Sequence, residues 1–560
     1  MTYAGLVDNG EQGVQSNELA DHGLVFAFSP FGESYLQPVA VFASKGPTKS
    51  TLLAQLLLQC TVHLEHAGIF VDGIVCDGAS TNRAMWKQLG ISGALGNVVN
   101  AFEHPLDVSR KVYVLSDVPH LFKCIRNRLY EKKTLKRQGR FIKWSCYDAL
   151  YVADTKHAAD LRVCPKLTYN HVNPSNMLKM RVKLATQLFS NSVAKGIQFY
   201  ARRGETRLCN AEATVEFTLF LNNLFDALNR RFPREGLTLG CKDFLVIESA
   251  SKWLDEWEQE VVNGDIPKDF FLTPSTAEGL RVTLKFVLEL SRYLLTECNF
   301  KYVLTSKMNQ DPLECFFGII RQAGGQNEHP TFPTFLQLYR MLSLYSLLRP
   351  PQFGNCTAAE SSKSAFVTLA DIRGIYKSSA AERPKKLEEL RNKLDGLISQ
   401  GNWECEDVFD HDYSDAALVD CIIYYVTGFV TRKLANKTSC VVCKEALKGH
   451  RGFSKAAEAE LVNCKTRGRL THPNAHLFQL FRNIEEEFAK YADQRDVYDK
   501  TTDAVLAHFE FTFPCNFHKE DILAKLLHYY VCLRMRQYCK QLRAKNEKKS
   551  QDLRKLSKLV

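Results

Sequence analysis

The fold is decided by the stretch Lys307-Met-Asn-Gln-Asp-Pro-Leu-Glu-Cys-Phe-Phe-Gly-Ile-Ile-Arg-Gln-Ala-Gly-Gly-Gln326. Asp311 is predicted to cap a helix, and Pro312 suits the first helical position. Apolar residues then recur at the spacing of one helix face. They are Leu313, Phe316, Phe317 and Ile320. The glycines that follow predict the end of the helix.

Glu314 lies three residues after Asp311 and off the apolar face. Two interpretations fit this position. An acidic residue three places after an N-cap is typical of a capping box, in which its side chain bonds back to the backbone. The same carboxylate is also suited to binding a metal ion beside the helix. The local pattern favours the capping box, so the choice depends on the rest of the chain.

Strand patterns precede this helix. Leu24–Phe28 and Tyr35–Ala43 are predicted to form two strands around a turn, and a helix is expected over Thr48–Ala67. Short apolar strands are expected again at Val71–Cys76 and at Lys111–Leu115. Each is followed by a predicted helix, which indicates an α/β arrangement.

Two aspartates hold equivalent places after the last two of these strands. Asp77 follows one strand and Asp117 the other, each directly before a helix. Open α/β sheets bind ligands just beyond the carboxyl ends of their strands. The alternative is that Asp77 only caps the next helix, but the repeated arrangement is more informative than either residue alone.

Composition is that of a globular protein. Hydrophobic residues make up 45% of the 560 residues, and the length predicts three or four domain-sized units. The 18 cysteines form no dense framework, so most are expected to be reduced thiols. The first residues lack the pattern of a signal peptide. The longest apolar run, Ile422–Val430, is too short to span a membrane.

Positive charge is concentrated in two stretches. Residues 118–143 hold nine Lys/Arg against one acidic residue, and residues 531–560 hold ten against two. Clusters of this kind predict a polyanion such as DNA as partner. A solvated helix face or a nuclear-import signal is the alternative, especially for the second stretch.

The chain is predicted to divide as follows. Residues 1–146 form the first part of an α/β core, 147–299 an all-helical insertion, 300–350 the second part of the core with the Glu314 helix, 351–415 a linker with a charged helix, 416–545 a helical C-terminal domain, and 546–560 a basic tail. The insertion is inferred from four helical patterns with sparse Gly and Pro.

The C-terminal domain contains two short motifs with the spacing of zinc ligands. Cys440 and Cys443 form one pair, and Cys515 and His518 form the other. Together they would supply four ligands to one structural Zn²⁺. The 71 residues between the pairs weaken this interpretation. Buried cysteines acting as small apolar residues are the more common alternative.

Five stretches of the chain also resemble the P-element transposase family, which includes THAP-domain transposases, in order and in spacing. They are Val75–Ile91, Val112–Asn127, Arg181–Asn191, Leu304–Gly318 with Gly324–Pro330, and Tyr425–Leu434. The resemblance runs from about residue 20 to residue 540. It implies an α/β RNase H-like core that is interrupted by an all-α GTP-binding insertion and followed by a helical C-terminal domain.

The resemblance also implies chemistry. The family cuts and joins DNA with two divalent metal ions, Mg²⁺ or Mn²⁺, held by carboxylates. Asp77 aligns with its second catalytic acid and Glu314 with its third, while Asp117 is carried over as a neighbouring metal-site residue. The resemblance also implies that the protein binds DNA, lies in the nucleus and forms a homo-oligomer. It implies no membrane association.

The family binds GTP without hydrolysing it. The resemblance carries over the candidate nucleotide contacts Lys166, Val182, Ser190, Asp226, Asn229 and Asp311. A carboxylate such as Asp226 accepts hydrogen bonds from the guanine edge, and Lys166 balances phosphate charge. No phosphate-loop motif is present, and ordinary surface polarity remains the alternative for Asn229 and Ser190.

Two features of the family are missing. No zinc-binding THAP finger precedes the core, and the strand that carries the first catalytic acid is absent, so the core is expected to be incomplete. Asp8 does not fit that strand's motif. The expected function is therefore a P-element-like DNA transposase in an N-terminally truncated copy. The alternative is a domesticated, catalytically inactive protein that binds DNA and guanine nucleotide.

Overall fold

The computed structural model describes residues 6–8, 10, 16–33, 35–156, 162–323, 331–348, 416–449, 456–466 and 470–556. The chain forms two compact units. The first comprises Met1–Trp144, Ser175–Phe189 and Leu219–Ala359, and the second Ser145–Pro174, Ser190–Thr218 and Glu360–Val560. The predicted linker 351–415 and residues 324–330 lie outside the described residues.

All described strands belong to the first unit. They are β1 (Leu6–Val7), β2 (Ser16–Leu19), β3 (His22–Phe28), β4 (Gln37–Ser44), β5 (Gly73–Cys76), β6 (Ser92–Ala94), β7 (Asn97–Val99), β8 (Ala101–Glu103), β9 (Lys111–Ser116), β10 (Thr134–Arg137) and β11 (Arg140–Lys143). The four strands predicted from the sequence are β3, β4, β5 and β9, with small differences at their ends.

The helices of eight or more residues up to residue 348 are α1 (Ser50–His66), α2 (Ser80–Gln88), α3 (Val118–Lys132), α4 (Ser145–Thr155), α5 (Asn191–Arg202), α6 (Glu212–Leu228), α7 (Lys242–Val262), α8 (Pro274–Thr296), α9 (Asp311–Ala323) and α10 (Phe332–Leu348). Shorter helices lie at Tyr169–Val172, Asn176–Lys179 and Val182–Leu188. The helices expected within 147–299 are present. Because they divide between the two units, the insertion as a domain stays a prediction.

The strands of the core form two separate sheets. Strand β3 pairs with β4 in an antiparallel hairpin. Strand β5 pairs with β9 in parallel, and β8 pairs antiparallel with the other edge of β9. Within the described residues no strand pairs with the second edge of β3 or with the second edge of β5. Each of these two strands therefore has one edge without a hydrogen-bonded neighbour.

Helices α1 and α2 cover this α/β region with apolar side chains. Leu53 and Leu57 of α1 and Trp86 of α2 join Val114 of β9 in one buried cluster. The ring of the buried Trp86 also donates a hydrogen bond from Nε1 to Sγ of Cys76 at 3.2 Å. On helix α8, the buried hydroxyl of Thr283 accepts from the Ser116 amide and donates to the Ser116 carbonyl. These contacts fix the ends of β5 and β9.

The second unit is helical in its described part. Its C-terminal helices are α11 (Ala416–Ala435), α12 (Val441–Leu447), α13 (Glu460–Lys465), α14 (Ala475–Tyr491), α15 (Val497–His508) and α16 (Lys519–Leu556). A buried bidentate pair joins Arg534 to Glu485, and Tyr530 donates to the same carboxylate at 2.6 Å. This buried, charge-assisted pair fixes α14 against α16. No helix in the part of the chain described here is long and apolar enough to cross a membrane.

The sequence analysis missed the hairpin β10–β11, inside the first basic stretch. Its turn residues Gln138 and Gly139 both have positive φ, 49° and 74°, as two-residue hairpin turns require. The inward residues Leu135 and Ile142 are buried, and Trp257 donates to the Lys136 carbonyl at 2.7 Å. The high lysine and arginine content hid this alternation.

Candidate active site and nucleotide site

The parallel pair β5–β9 places Asp77 and Asp117 at the same edge of the sheet. Cys76 lies opposite Ser116 in the register, so the next residue on each strand leaves the sheet at the same level. The Asp117 amide donates to the Cys76 carbonyl at 2.9 Å. The prediction that the two aspartates occupy equivalent strand ends is therefore confirmed.

Asp77 is held by one of its two carboxylate oxygens. Oδ1 accepts from the Ala79 amide at 2.9 Å and from Nδ2 of Asn82 at 2.7 Å. These bonds fold the turn that precedes α2 around the carboxylate. Asp77 does not cap the helix as the alternative expected, because Ala79 is the N-cap and has no side-chain cap bond. Among the described residues Oδ2 has no hydrogen-bond partner. Holding this turn and binding a metal ion are therefore compatible at Asp77, because they use different oxygens.

Asp117 is buried, with 3% of its surface exposed. Oδ2 accepts from the His120 amide at 2.9 Å and caps α3, while Oδ1 accepts from the Gln310 amide at 2.9 Å. Burial raises the pKa of Asp117 to about 6; the nearby charges of Glu314 and Asp311 add to this, and the two amide bonds oppose it. Asp117 is thus engaged at both oxygens and ties the end of β9 to the segment that begins α9.

Helix α9 begins differently from the prediction. Asp311 is the first residue of the helix and not its cap, and its amide donates to Oδ1 of Asn309 at 3.1 Å. Oδ2 of Asp311 instead pairs with Nη2 of Arg231 at 2.9 Å. Glu314 is exposed, and among the described residues no hydrogen bond joins its side chain to the backbone before it. The capping box is therefore absent.

The metal set predicted for this site remains a prediction. In the described part of the chain Asp77, Asp117 and Glu314 do not form a compact group of three ligand atoms. The charges of Asp117 and Glu314 nevertheless interact, and those of Asp77 and Asp117 both act on Cys76. The three carboxylates therefore share one neighbourhood at the sheet edge.

Sequence reasoning missed a basic pair on α3 beside these carboxylates. The buried Lys123 places Nζ 3.2 Å from Nδ1 of His120. Since an ammonium group only donates, Nδ1 accepts and the ring proton lies on Nε2. A Cβ at Gly78 would lie 3.3 Å from that Nε2, so the ring faces the turn after Asp77. Burial lowers the pKa of His120, and the Lys123 charge lowers it further.

Three of the predicted nucleotide contacts lie close to one another in the first unit. Asn229, just after α6, accepts at Oδ1 from Nδ2 of Asn309 at 3.5 Å. Arg231 holds Asp311, as described above. Asp226, one turn before Asn229, accepts from Nδ2 of Asn222 at 3.1 Å. The end of α6 and the start of α9 thus present two carboxylates and several amide groups together.

The other predicted contacts are distributed differently. Val182 begins the short helix Val182–Leu188 of the first unit, whereas Lys166 and Ser190 belong to the second unit. The Ser190 hydroxyl caps α5 by accepting from the Val193 amide at 3.3 Å. Lys166 is exposed. The role of all six residues in nucleotide binding stays a prediction.

The basic stretch 118–143 is largely engaged within the first unit. Arg126 is buried and donates to the Lys179 carbonyl, and Arg128 donates to the Phe271 carbonyl. Lys132 pairs with Asp269 and Arg137 with Glu256. These cations serve the fold. On hairpin β10–β11, Arg140 is exposed, and Lys136 and Lys143 lie beside the exposed ring of Phe141.

Four family models match consecutive parts of the chain. They are "TNP-like, RNase H N-terminal domain" at residues 1–90, "TNP-like, GTP-binding insertion domain" at 119–237, "TNP-like, RNase H C-terminal domain" at 306–340 and "DNA transposase THAP9, C-terminal domain" at 412–540. The two RNase H models contain Asp77 and Glu314. The GTP-binding model contains every predicted nucleotide contact except Asp311, which falls in the second RNase H model.

Individual proteins match over shorter fractions. Transposable element P transposase of Drosophila melanogaster is 31% identical over 269 residues, covering 48% of this chain and 34% of that protein. DNA transposase THAP9 of Homo sapiens is 27% identical over 300 residues, covering 51% and 32%. The match therefore spans about a third of the length of each curated relative.

A solved structure shares the fold. The Drosophila P element transposase strand transfer complex aligns with a TM-score of 0.51 and 28% identity, covering 61% of this chain and 75% of that chain. The α/β region of the first unit is accordingly RNase H-like.

Proposed function

Because this chain belongs to the P-element-type transposase family, we propose that it is a DNA transposase whose strand-cutting site lies at the ends of β5 and β9. The observation that carries the proposal is the register Cys76 to Ser116, which brings Asp77 and Asp117 to one edge. Asp117 then ties the Glu314 helix to that edge.

Asp77 and Glu314 are the residues that would hold a divalent metal ion. Oδ2 of Asp77 and the exposed carboxylate of Glu314 are both available, and carboxylate oxygens suit Mg²⁺ and Mn²⁺. A metal bound there would activate the attacking hydroxyl or water and stabilise the leaving oxygen. Asp117 acts as a positioning residue, because both of its oxygens already accept backbone amides.

The groove between β3 and β5 supports the further proposal that the core is incomplete. Consecutive residues Leu24–Phe28 and Ile69–Cys76 line a cavity of about 900 Å³. Successive side chains of a strand point to opposite faces of the sheet, so a cavity against one face contacts only every second residue. Contact with every residue in a row means that the cavity lies along the edges of the two strands. Unpaired edges of buried strands are costly. We propose that an extended segment preceding Met1, with an acidic residue at its centre, pairs with both edges.

Cleavage assays on two forms of the protein test this proposal. The 560-residue chain is expected to be inactive with Mg²⁺ or Mn²⁺, because two carboxylates bind two metals poorly. Adding an N-terminal segment with an Asp-Glu-Met strand should give metal-dependent cleavage, and changing its Asp to Asn should abolish it. Robust cleavage by the unextended chain, lost in Asp77→Ala, would contradict the proposed incompleteness.

The second candidate function is an inactive protein that binds DNA and guanine nucleotide. It is favoured by the engagement of Asp117 at both oxygens and by the open groove beside β5. In both functions GTP is proposed to bind without hydrolysis, with Asp226 and Asp311 at the guanine edge. Absence of cleavage by the extended protein, together with retained GTP and DNA binding, would select this candidate.

A further inference from the structure

The two short cysteine motifs of the second unit meet in space. Cys440 and Cys443 lie at the start of α12, and Cys515 and His518 lie just before α16. One ligand atom from each residue lies within 4.8 Å of every other. Nδ1 of His518 is 3.2 Å from Sγ of Cys515 and 3.5 Å from Sγ of Cys443.

These distances match a tetrahedral zinc centre. With Zn–S bonds of about 2.3 Å and Zn–N bonds of about 2.0–2.1 Å, the edges of a tetrahedron are about 3.8 Å between sulfurs and about 3.6 Å from sulfur to nitrogen. The two observed sulfur–nitrogen distances lie near that value. The histidine nitrogen in use is Nδ1, because it faces both thiols.

Ordinary core packing does not explain this group. Cys443 and Cys515 are buried, but His518 is exposed and turns a polar ring nitrogen toward two thiols. Buried cysteines that act as small apolar residues need no such partner. Four ligand-type residues from two segments that are 71 residues apart in sequence also meet at one point.

The surrounding segments show what the centre would stabilise. Helix α12 has only seven residues and buries only Cys443 and Leu447. The residues between the ligands face solvent: Val441 and Phe517 are 64% and 97% exposed. A short helix with two buried side chains has little apolar packing of its own. A metal that joins it to the start of α16 would supply the missing attachment.

We propose that Cys440, Cys443, Cys515 and His518 bind one structural Zn²⁺ that joins α12 to α16. All four positions are filled by protein, so no site remains open for a substrate. The proposal does not depend on the proposed transposase function, because it concerns other residues in the other compact unit.

Metal analysis of the purified full chain tests the proposal. We expect about one zinc per chain by elemental mass spectrometry. After exchange, Co²⁺ should give the intense visible bands of a tetrahedral thiolate site. Cys515→Ser and His518→Ala should lose this metal, whereas His518→Cys should retain it, since four thiolates also hold zinc. Cys539→Ser, at an exposed cysteine of α16, is the matched control and should retain zinc.

Alkylation of the unmutated chain tests the same proposal without variants, so its result does not depend on whether a variant folds. Zinc should protect Cys440, Cys443 and Cys515 from a thiol reagent until a chelator is added, while Cys539 reacts throughout. Wild-type protein with no more zinc than Cys515→Ser would overturn the proposal. So would a Cys440–Cys443 disulfide in metal-free native protein, or equal reactivity of all four cysteines before chelation.

Discussion

The carboxylate of Asp117 accepts a hydrogen bond from the Gln310 amide at 2.9 Å. This bond joins the carboxyl end of β9 to the residue before α9, across 193 positions of sequence. Glu314 lies in the first turn of that helix. The position of one candidate metal ligand therefore depends on the buried carboxylate of Asp117.

Deprotonation of Asp117 should lower the free energy of unfolding as pH rises from about 4 to 7. Its pKa is raised from 3.8 to about 6 in the folded protein, so the folded state favours the protonated form. That contribution is fully present below the unfolded pKa and is lost as pH rises through the folded pKa. Two pKa units correspond to roughly 3 kcal/mol.

The measurement is urea unfolding of the chain and of Asp117→Asn in chelator, at pH 4, 5, 6 and 7. The difference in unfolding free energy, wild type minus variant, should fall by roughly 3 kcal/mol across this range. The subtraction removes other titrating groups. A difference that stays constant with pH would mean that Asp117 has an ordinary pKa in the folded chain.

GTP should protect the first unit against thermal unfolding. A ligand at about 100 times its Kd stabilises the folded state by about 2.7 kcal/mol. Asp226→Ala should abolish the shift, because the guanine edge loses an acceptor that matches its N–H groups. Asp265→Ala, at an exposed acidic residue of the same unit, is the control and should keep it.

ATP is the matched nucleotide for the same experiment, since its base presents a different edge. It should give a much smaller shift than GTP. Equal protection by both nucleotides would indicate binding through the phosphates alone. No shift with millimolar GTP would remove the nucleotide site from the proposal.

DNA binding should depend steeply on salt, with hairpin β10–β11 as part of the contact surface. Each phosphate that a cation neutralises lowers log K by about 0.9 per decade of salt. Lys136→Ala and Arg140→Ala should each weaken binding equally for all DNA sequences and reduce the salt slope by about 1. Lys252→Ala on α7, a side chain 80% exposed, is the control. Unchanged slopes in both hairpin variants would place the DNA surface elsewhere.

The sequence predicted the strand ends well because local patterns determine them. Strands β5 and β9 are short apolar runs, and Asp77 and Asp117 directly follow them. The parallel register then brings the aspartates to one edge without further information. Convergence of the zinc-type ligands was a weaker prediction, because it depends on how segments far apart in sequence pack.

Other features depended on contacts that no local pattern records. Asp311 has the sequence of an N-cap, yet it is the first residue of the helix and its carboxylate pairs with Arg231. The bond from the Gln310 amide to Asp117 joins segments 193 positions apart, and no local pattern predicts it. The pair His120 and Lys123 had a usable signal, since both lie on α3 directly after Asp117 at a spacing of three residues.

The most direct test of the central claim is protein cleavage by bound iron. With added hydrogen peroxide as oxidant and ascorbate to reduce Fe³⁺ again, Fe²⁺ that replaces Mg²⁺ generates hydroxyl radicals that cut the backbone beside the metal, and mass spectrometry locates the cuts. If Asp77 and Glu314 share a metal site, cuts should appear near both residues and disappear with excess Mg²⁺ or in Glu314→Gln. Cuts near one residue only, or cuts near Asp77 that persist in Glu314→Gln, would contradict a shared site.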